Sequence, residues 1–218
     1  MHAQALLLVG AVAGVGVLHT VMPDHWVPIT LMARERGWSP AGTARAAFQA
    51  GAGHVLSTLA IGVLAWIAGA AFARRFGALV DLAAGAALIA FGFWFMVAGW
   101  REIHRGPGPH DHGETRAHGH ESGRTSLLLI LGSSPMVEGI PAFFAAARYG
   151  FALIVLMGLV FAASTIATYV LLCVSSAVGL GRVRLGVLER YGEVLSGSLI
   201  VLVGVAFALL SALDQYGF

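Results

Sequence analysis

The stretch GVLHTVMPDHWVPI, Gly16–Ile29, interrupts the apolar opening of the chain with two histidines, an aspartate and two prolines. From Ala3 to Ala33 the apolar pattern is otherwise long enough for one helix, which at 1.5 Å per residue would measure about 46 Å. The hydrocarbon core of a bilayer is only about 30 Å thick. Proline lacks an N–H and clashes with the carbonyl four residues earlier. Pro23 thus removes the helical donor of the His19 carbonyl, and Pro28 that of Asp24. A break near Pro23 resolves the excess length and leaves His19, Asp24 and His25 beside the turn. In lipid, freed backbone groups are tolerated only inside protein or against a wet cavity. The stretch predicts a membrane helix broken in order to hold something polar.

Composition agrees. Of 218 residues, 58% are hydrophobic, and the mean hydropathy is +0.82. Ordinary soluble domains are far less apolar, so the class is a polytopic membrane protein. Six stretches reach the roughly 20 residues that a spanning helix needs: Ala3–Met22, Gly42–Phe72, Ala78–Trp100, Thr125–Ala147, Phe151–Leu180 and Gly192–Leu213. All 13 basic residues are arginine. Ten fall in one set of alternate loops and three, Arg74, Arg75 and Arg148, in the other. The positive-inside bias predicts a multi-pass protein of the cell (inner or plasma) membrane, with both termini outside. The isoelectric point near 9.1 does not imply nucleic acid, because the arginines lack the aromatic-interleaved stripe of such a surface. The N-terminus shows no basic n-region or small-residue cleavage site, so no cleaved signal peptide is expected. Cys173 stands alone in an apolar run, which excludes a dithiol redox pair.

Between the third and fourth stretches lies REIHRGPGPHDHGETRAHGHESGR, Arg101–Arg124, rich in glycine, proline and charge. It reads as a flexible, solvated loop on the cytoplasmic side. It divides the chain into a first three-helix unit (1–100) and a second (125–218). Three spans per unit place the units in opposite orientations, as in the inverted repeats of secondary transporters. PDHWVP (Pro23–Pro28) in the first span and PMVEGIP (Pro135–Pro141) in the fourth each set an acidic residue between two prolines. Pro141 removes the helical donor of the Val137 carbonyl, next to Glu138. The expected fold is all-α, six transmembrane helices in two inverted three-helix repeats, with proline-broken helices 1 and 4.

A mid-bilayer carboxylate costs about 2.5–3.5 kcal/mol on insertion scales, and this chain carries both Asp24 and Glu138. Stiffening of freed backbone is the plain explanation, and an ion-coordinating site lined by His19, Asp24 and His25 is the functional one. In GAGHVLST of the second span, His54 shares a face with Ser57 and Thr58. Gly51 and Gly53 admit a close helix neighbour. His54 joins the candidate ligands. Imidazole with carboxylate suits Ni²⁺, Co²⁺ or Zn²⁺, whereas Ca²⁺ and Mg²⁺ prefer oxygen shells. Ser134, Met136 and Glu138 are the candidate ligands or gate from the second unit. Ser164, Thr165 and Thr168 either line a path or bond between helices. The loop histidines His110, His112, His118 and His120 form an auxiliary metal-binding tract.

His19, four residues, then Asp24-His25 is the H-x₄-D-H signature, and in it the chain resembles the nickel/cobalt transporter families. Gly53-His54 with Ser57 is similar to their second histidine motif, and the His-rich loop to that of their efflux members. The six-span layout resembles the lysine-exporter superfamily. Efflux members open their second half with a Pro-Cys-Pro type break, and here the sequence reads SSPMVEGIP. The resemblance implies Ni²⁺ or Co²⁺ as the transported ion.

The expectation is a secondary transporter of divalent transition-metal cations, export somewhat favoured by the cytoplasmic His-rich loop. The partners are the ion, the lipid bilayer and a second copy if the chain self-associates. No permanently bound cofactor, no enzymatic activity and no nucleic-acid partner are expected. A membrane metal-binding accessory protein without flux and an exporter of small organic solutes are the alternatives.

Overall fold

The computed structural model describes residues 3–76, 79–105, 135–179 and 187–216. Among these residues the chain is helical throughout, without strands. The helices are α1 (Ala3–Val21), α2 (Pro23–Glu35), α3 (Pro40–Phe76), α4 (Leu79–Arg105), α5 (Ile140–Ala145), α6 (Phe151–Ala177) and α7 (Val187–Tyr216), with a 3₁₀ turn at Ala146–Tyr149. Five of them, α1, α3, α4, α6 and α7, are long and apolar enough to cross a membrane. Their outward faces carry Leu56, Leu64, Phe93, Trp94, Leu159, Leu202 and Leu209 exposed. In water such a surface would be a liability; in a bilayer it is the surface a membrane protein needs.

The expected break at Pro23 is present. Helix α1 ends at Val21, Met22 is extended, and Pro23 opens α2, where a missing N–H leaves no hydrogen bond unmade. Pro28, expected to interrupt the chain again, lies inside α2 without ending it. Two of the three carbonyls expected to be freed find local donors instead. His19 O accepts from Met22 N–H at 3.1 Å, and Val137 O accepts from Ile140 N–H at 3.1 Å.

The fourth expected span differs most. Residues 125–134 lie outside the described residues. From Pro135 the chain is non-helical through Gly139, then forms only the six-residue α5 and the 3₁₀ turn. Two prolines and a glycine within seven residues prevent a continuous helix there. Gly150, at φ 86°, turns the chain into α6, a conformation that L side chains rarely adopt.

Helices α4 and α7 pair along a glycine seam. On α4, Gly85, Gly92 and Gly99 recur every seven residues, and on α7 Gly197 and Gly204 do the same. A Cβ on Gly92 would stand 2.7 Å from Val201 N, and one on Gly204 2.9 Å from Ile89 N. The backbones touch, as small-residue seams allow in membranes. Helix α1 packs against α6 and α7, α3 against α6, and α2 lies along α6.

Two apolar cores result. One gathers Leu8, Val12, Val15, Val55, Met136, Phe143, Met157 and Phe161. The other gathers Val21, Trp26, Ile29, Ala50, Tyr169 and Cys173. Along α1 the first ends at Val15 and the second starts at Val21, and along α3 the division falls between Ala50 and Val55. His19 and His54 occupy those intervals. A polar layer is held between two dry ones.

Candidate metal centre

His19 belongs to the last turn of α1 and His25 to the first turn of α2, so the break at Met22 folds the two back toward each other. Their ring centroids are 4.5 Å apart. His54 reaches the same point from α3, with its ring centroid 5.4 Å from that of His19 and 5.3 Å from that of His25. One ligand atom from each of the three histidines lies within 4.8 Å of the others. His54 is fully buried and His25 is 7% exposed. Ring nitrogens this close, in a low-dielectric layer, form a ready donor set for a cation that prefers imidazole.

Two carboxylates orient the rings. His25 Nδ1–H donates to Asp24 Oδ1 at 2.8 Å, and His19 Nδ1–H donates to Glu138 Oε1 at 2.8 Å. An imidazole whose Nδ1 carries the proton presents its Nε2 lone pair to a metal, and a carboxylate behind it raises its basicity. Glu138 comes from the segment preceding α5 and is 4% exposed. Its Oε2 has no hydrogen-bond partner among the described residues. Thr58 fixes this segment: its Oγ1 accepts from Met136 N–H at 2.9 Å, two residues before Glu138.

Asp24, expected as a direct ligand, lies outside the three-histidine group. Its side chain is 72% exposed and accepts from the outer nitrogen of His25. Asp24 therefore touches the outer side of the His25 ring and is not among the atoms that converge. Met136, expected as a soft ligand, is buried in the first apolar core, where its methyl packs under Gly139. Ser134 and the loop histidines His110, His112, His118 and His120 lie outside the described residues. Of the hydroxyls on α6, Thr165 and Ser164 abut Gly16, where a Cβ would come within 2.9 and 3.0 Å of their oxygens. They sit one turn before His19 on the α1–α6 contact.

Tyr169 was not anticipated. Its hydroxyl donates to the His25 carbonyl at 3.1 Å, and its ring meets that of His25 edge-on at 6.2 Å. One helical turn past Thr165, it continues the polar face of Ser164, Thr165 and Thr168, and that spacing is the signal that could have found it. Cys173 Sγ–H, a turn further, donates to Trp26 O at 3.7 Å. Arg34 donates to Ser176 O. Three successive turns of α6 therefore hold α2 through its carbonyls and its terminal arginine.

No known protein family, curated protein or solved structure matches this chain.

Proposed function

We propose that the chain is a secondary transporter of divalent transition-metal cations, Ni²⁺ or Co²⁺ before Zn²⁺. The observation that carries this reading is the convergence of His19, His25 and His54 in a layer between two apolar cores. Three histidines meeting from three helices, inside a chain this sparing of charge, have a use. Imidazole binds these ions while neutral, so protons compete with metal, and exchange for protons is chemically available.

In this reading the ion is cargo, held by the three imidazoles near mid-membrane. Glu138 supplies the fourth donor by exchanging its contact with His19 for the ion. Asp24 holds His25 in the productive tautomer. Residues 1–100 and 125–218 act as the two inverted units, and rocking of one against the other alternates access. The proposed placement is the inner or plasma membrane, with both termini outside and the 101–124 loop inside.

The test is flux of Ni²⁺, Co²⁺ and Zn²⁺ into proteoliposomes carrying the purified chain, beside the His25→Ala variant. Flux in the wild type alone supports a transporter and ranks the ions. Tight binding without flux converts the reading to a metal-binding accessory protein. Neither binding nor flux removes the metal altogether.

A further inference from the structure

Glu193 has no part in the site as described, yet its surroundings are unusual for a membrane carboxylate. It lies near the start of the apolar window of α7 and is half-buried. Gly99 of α4 makes room for it: a Cβ there would stand 3.0 Å from Glu193 Oε2. The preceding residue, Gly192, packs directly on the Met22 sulfur, at the break between α1 and α2. Glu193 thus lies one residue from the contact with the break that separates His19 from His25, with its carboxylate on the α4 side.

The charged groups that act on Glu193 are Glu102, Glu138, Asp24 and His19. Three of these four are carboxylates and none is an arginine. No ion pair to Glu193 exists among the described residues. Like charges gathered in a low dielectric repel, and a chain tolerates this where a cation regularly visits. Two of the group belong to the metal centre itself: Glu138, whose buried Oε2 lacks a partner, and His19, which Glu138 holds. Asp24 is exposed and Glu138 is buried beside His19, so the acidic groups run from the surface inward.

We infer that Glu193 is the approach carboxylate of the histidine centre, attracting a divalent cation and passing it between solution and the three imidazoles. This rests on the metal reading above. Glu193 is a positioning residue rather than a ligand: it governs how fast the centre fills, not how tightly it holds. Charge lining a low-dielectric cleft raises association rates by about 10- to 1,000-fold, and salt suppresses the effect.

The experiment is stopped-flow mixing of Co²⁺ with the full purified chain in nanodiscs, following the visible Co²⁺ absorption that imidazole ligation produces. The part of the signal that His54→Ala removes belongs to the centre. In Glu193→Gln, that part should form about tenfold more slowly at low salt, with its final amplitude and half-saturation within twofold of wild type. Glu193→Asp should restore most of the rate. The wild-type rate should fall as ionic strength rises, whereas the Gln variant should be nearly indifferent to salt.

An unchanged rate in Glu193→Gln, or a wild-type rate insensitive to salt, overturns the proposal while leaving the metal centre standing. Loss of final amplitude in Glu193→Gln also overturns it, because Glu193 then belongs to the ligand set or its packing. If the wild type develops no His54-dependent signal, the metal reading falls and this one falls with it.

Discussion

Among the described residues, two ion pairs tie the chain before residue 106 to the chain after 134, and they differ in kind. At one end, Asp81 in the first turn of α4 pairs with Arg148 of the 3₁₀ turn. In the polar layer, His19 of α1 pairs with Glu138. Arginine keeps its charge at any ordinary pH, so Asp81 has a permanent partner. Histidine at Glu138 is an exchangeable partner, and one oxygen of the same carboxylate is left without any. The first contact has the chemistry of a fastener and the second that of a seat. The difference teaches that buried charge alone does not mark the site; what marks it is a charge whose partner can leave.

Removing a seat ligand should have the largest effect. His54→Ala is expected to weaken metal binding by more than about 100-fold, beyond the roughly 10- to 100-fold typical of outer groups, while the unfolding midpoint in detergent stays near wild type. Full affinity in that variant, measured by equilibrium dialysis, would break the comparison at its root. Next is the fastener. Arg148→Ala strands the buried Asp81 and should lower stability by about 2–3 kcal/mol, less than a fully buried pair because the guanidinium is 43% exposed. Metal affinity should not change with it. A variant that loses metal but keeps its stability would show that the two contacts are one system.

Asp24→Asn tests the outer position assigned to that residue. It should weaken binding by about tenfold, the low end for groups that orient a ligand, because the carboxylate is exposed and stands behind the ring. A loss as deep as that of His54→Ala would restore Asp24 as a ligand. The smallest effect belongs to Tyr169→Phe. One hydrogen bond to the His25 carbonyl is lost, worth about 1 kcal/mol, and metal affinity should shift by less than about fivefold.

Much of this was legible in the chain. Five apolar runs became five long helices because length and hydropathy suffice where no residue contradicts them. Pro23 broke its helix because it fell where α1 had already used its span. Pro28 lies inside α2 without ending it, in a helix that Tyr169, Cys173 and Arg34 bind to α6. In the run from Thr125 to Ala147, the described part is interrupted where Pro135, Gly139 and Pro141 stand, as the expected proline-broken helix requires, although apolar length alone suggests one unbroken span. Within the site, residue types were readable and directions were not. Asp24 and His25 look like one ligand pair in sequence, yet Asp24 bonds the outer nitrogen of His25 and lies outside the three-histidine group. The contact of Glu138 with His19, 119 residues away, depends on Thr58 anchoring Met136. No periodicity carries that information.

The lone cysteine has a practical consequence. Cys173 is fully buried beneath α2, bonded to the Trp26 carbonyl, and the chain contains no other thiol. A small thiol reagent reaches it only when α2 lifts away from α6. Its labelling rate therefore times that excursion in unmodified protein, and whether added metal slows or quickens the clock reports which conformation the ion prefers.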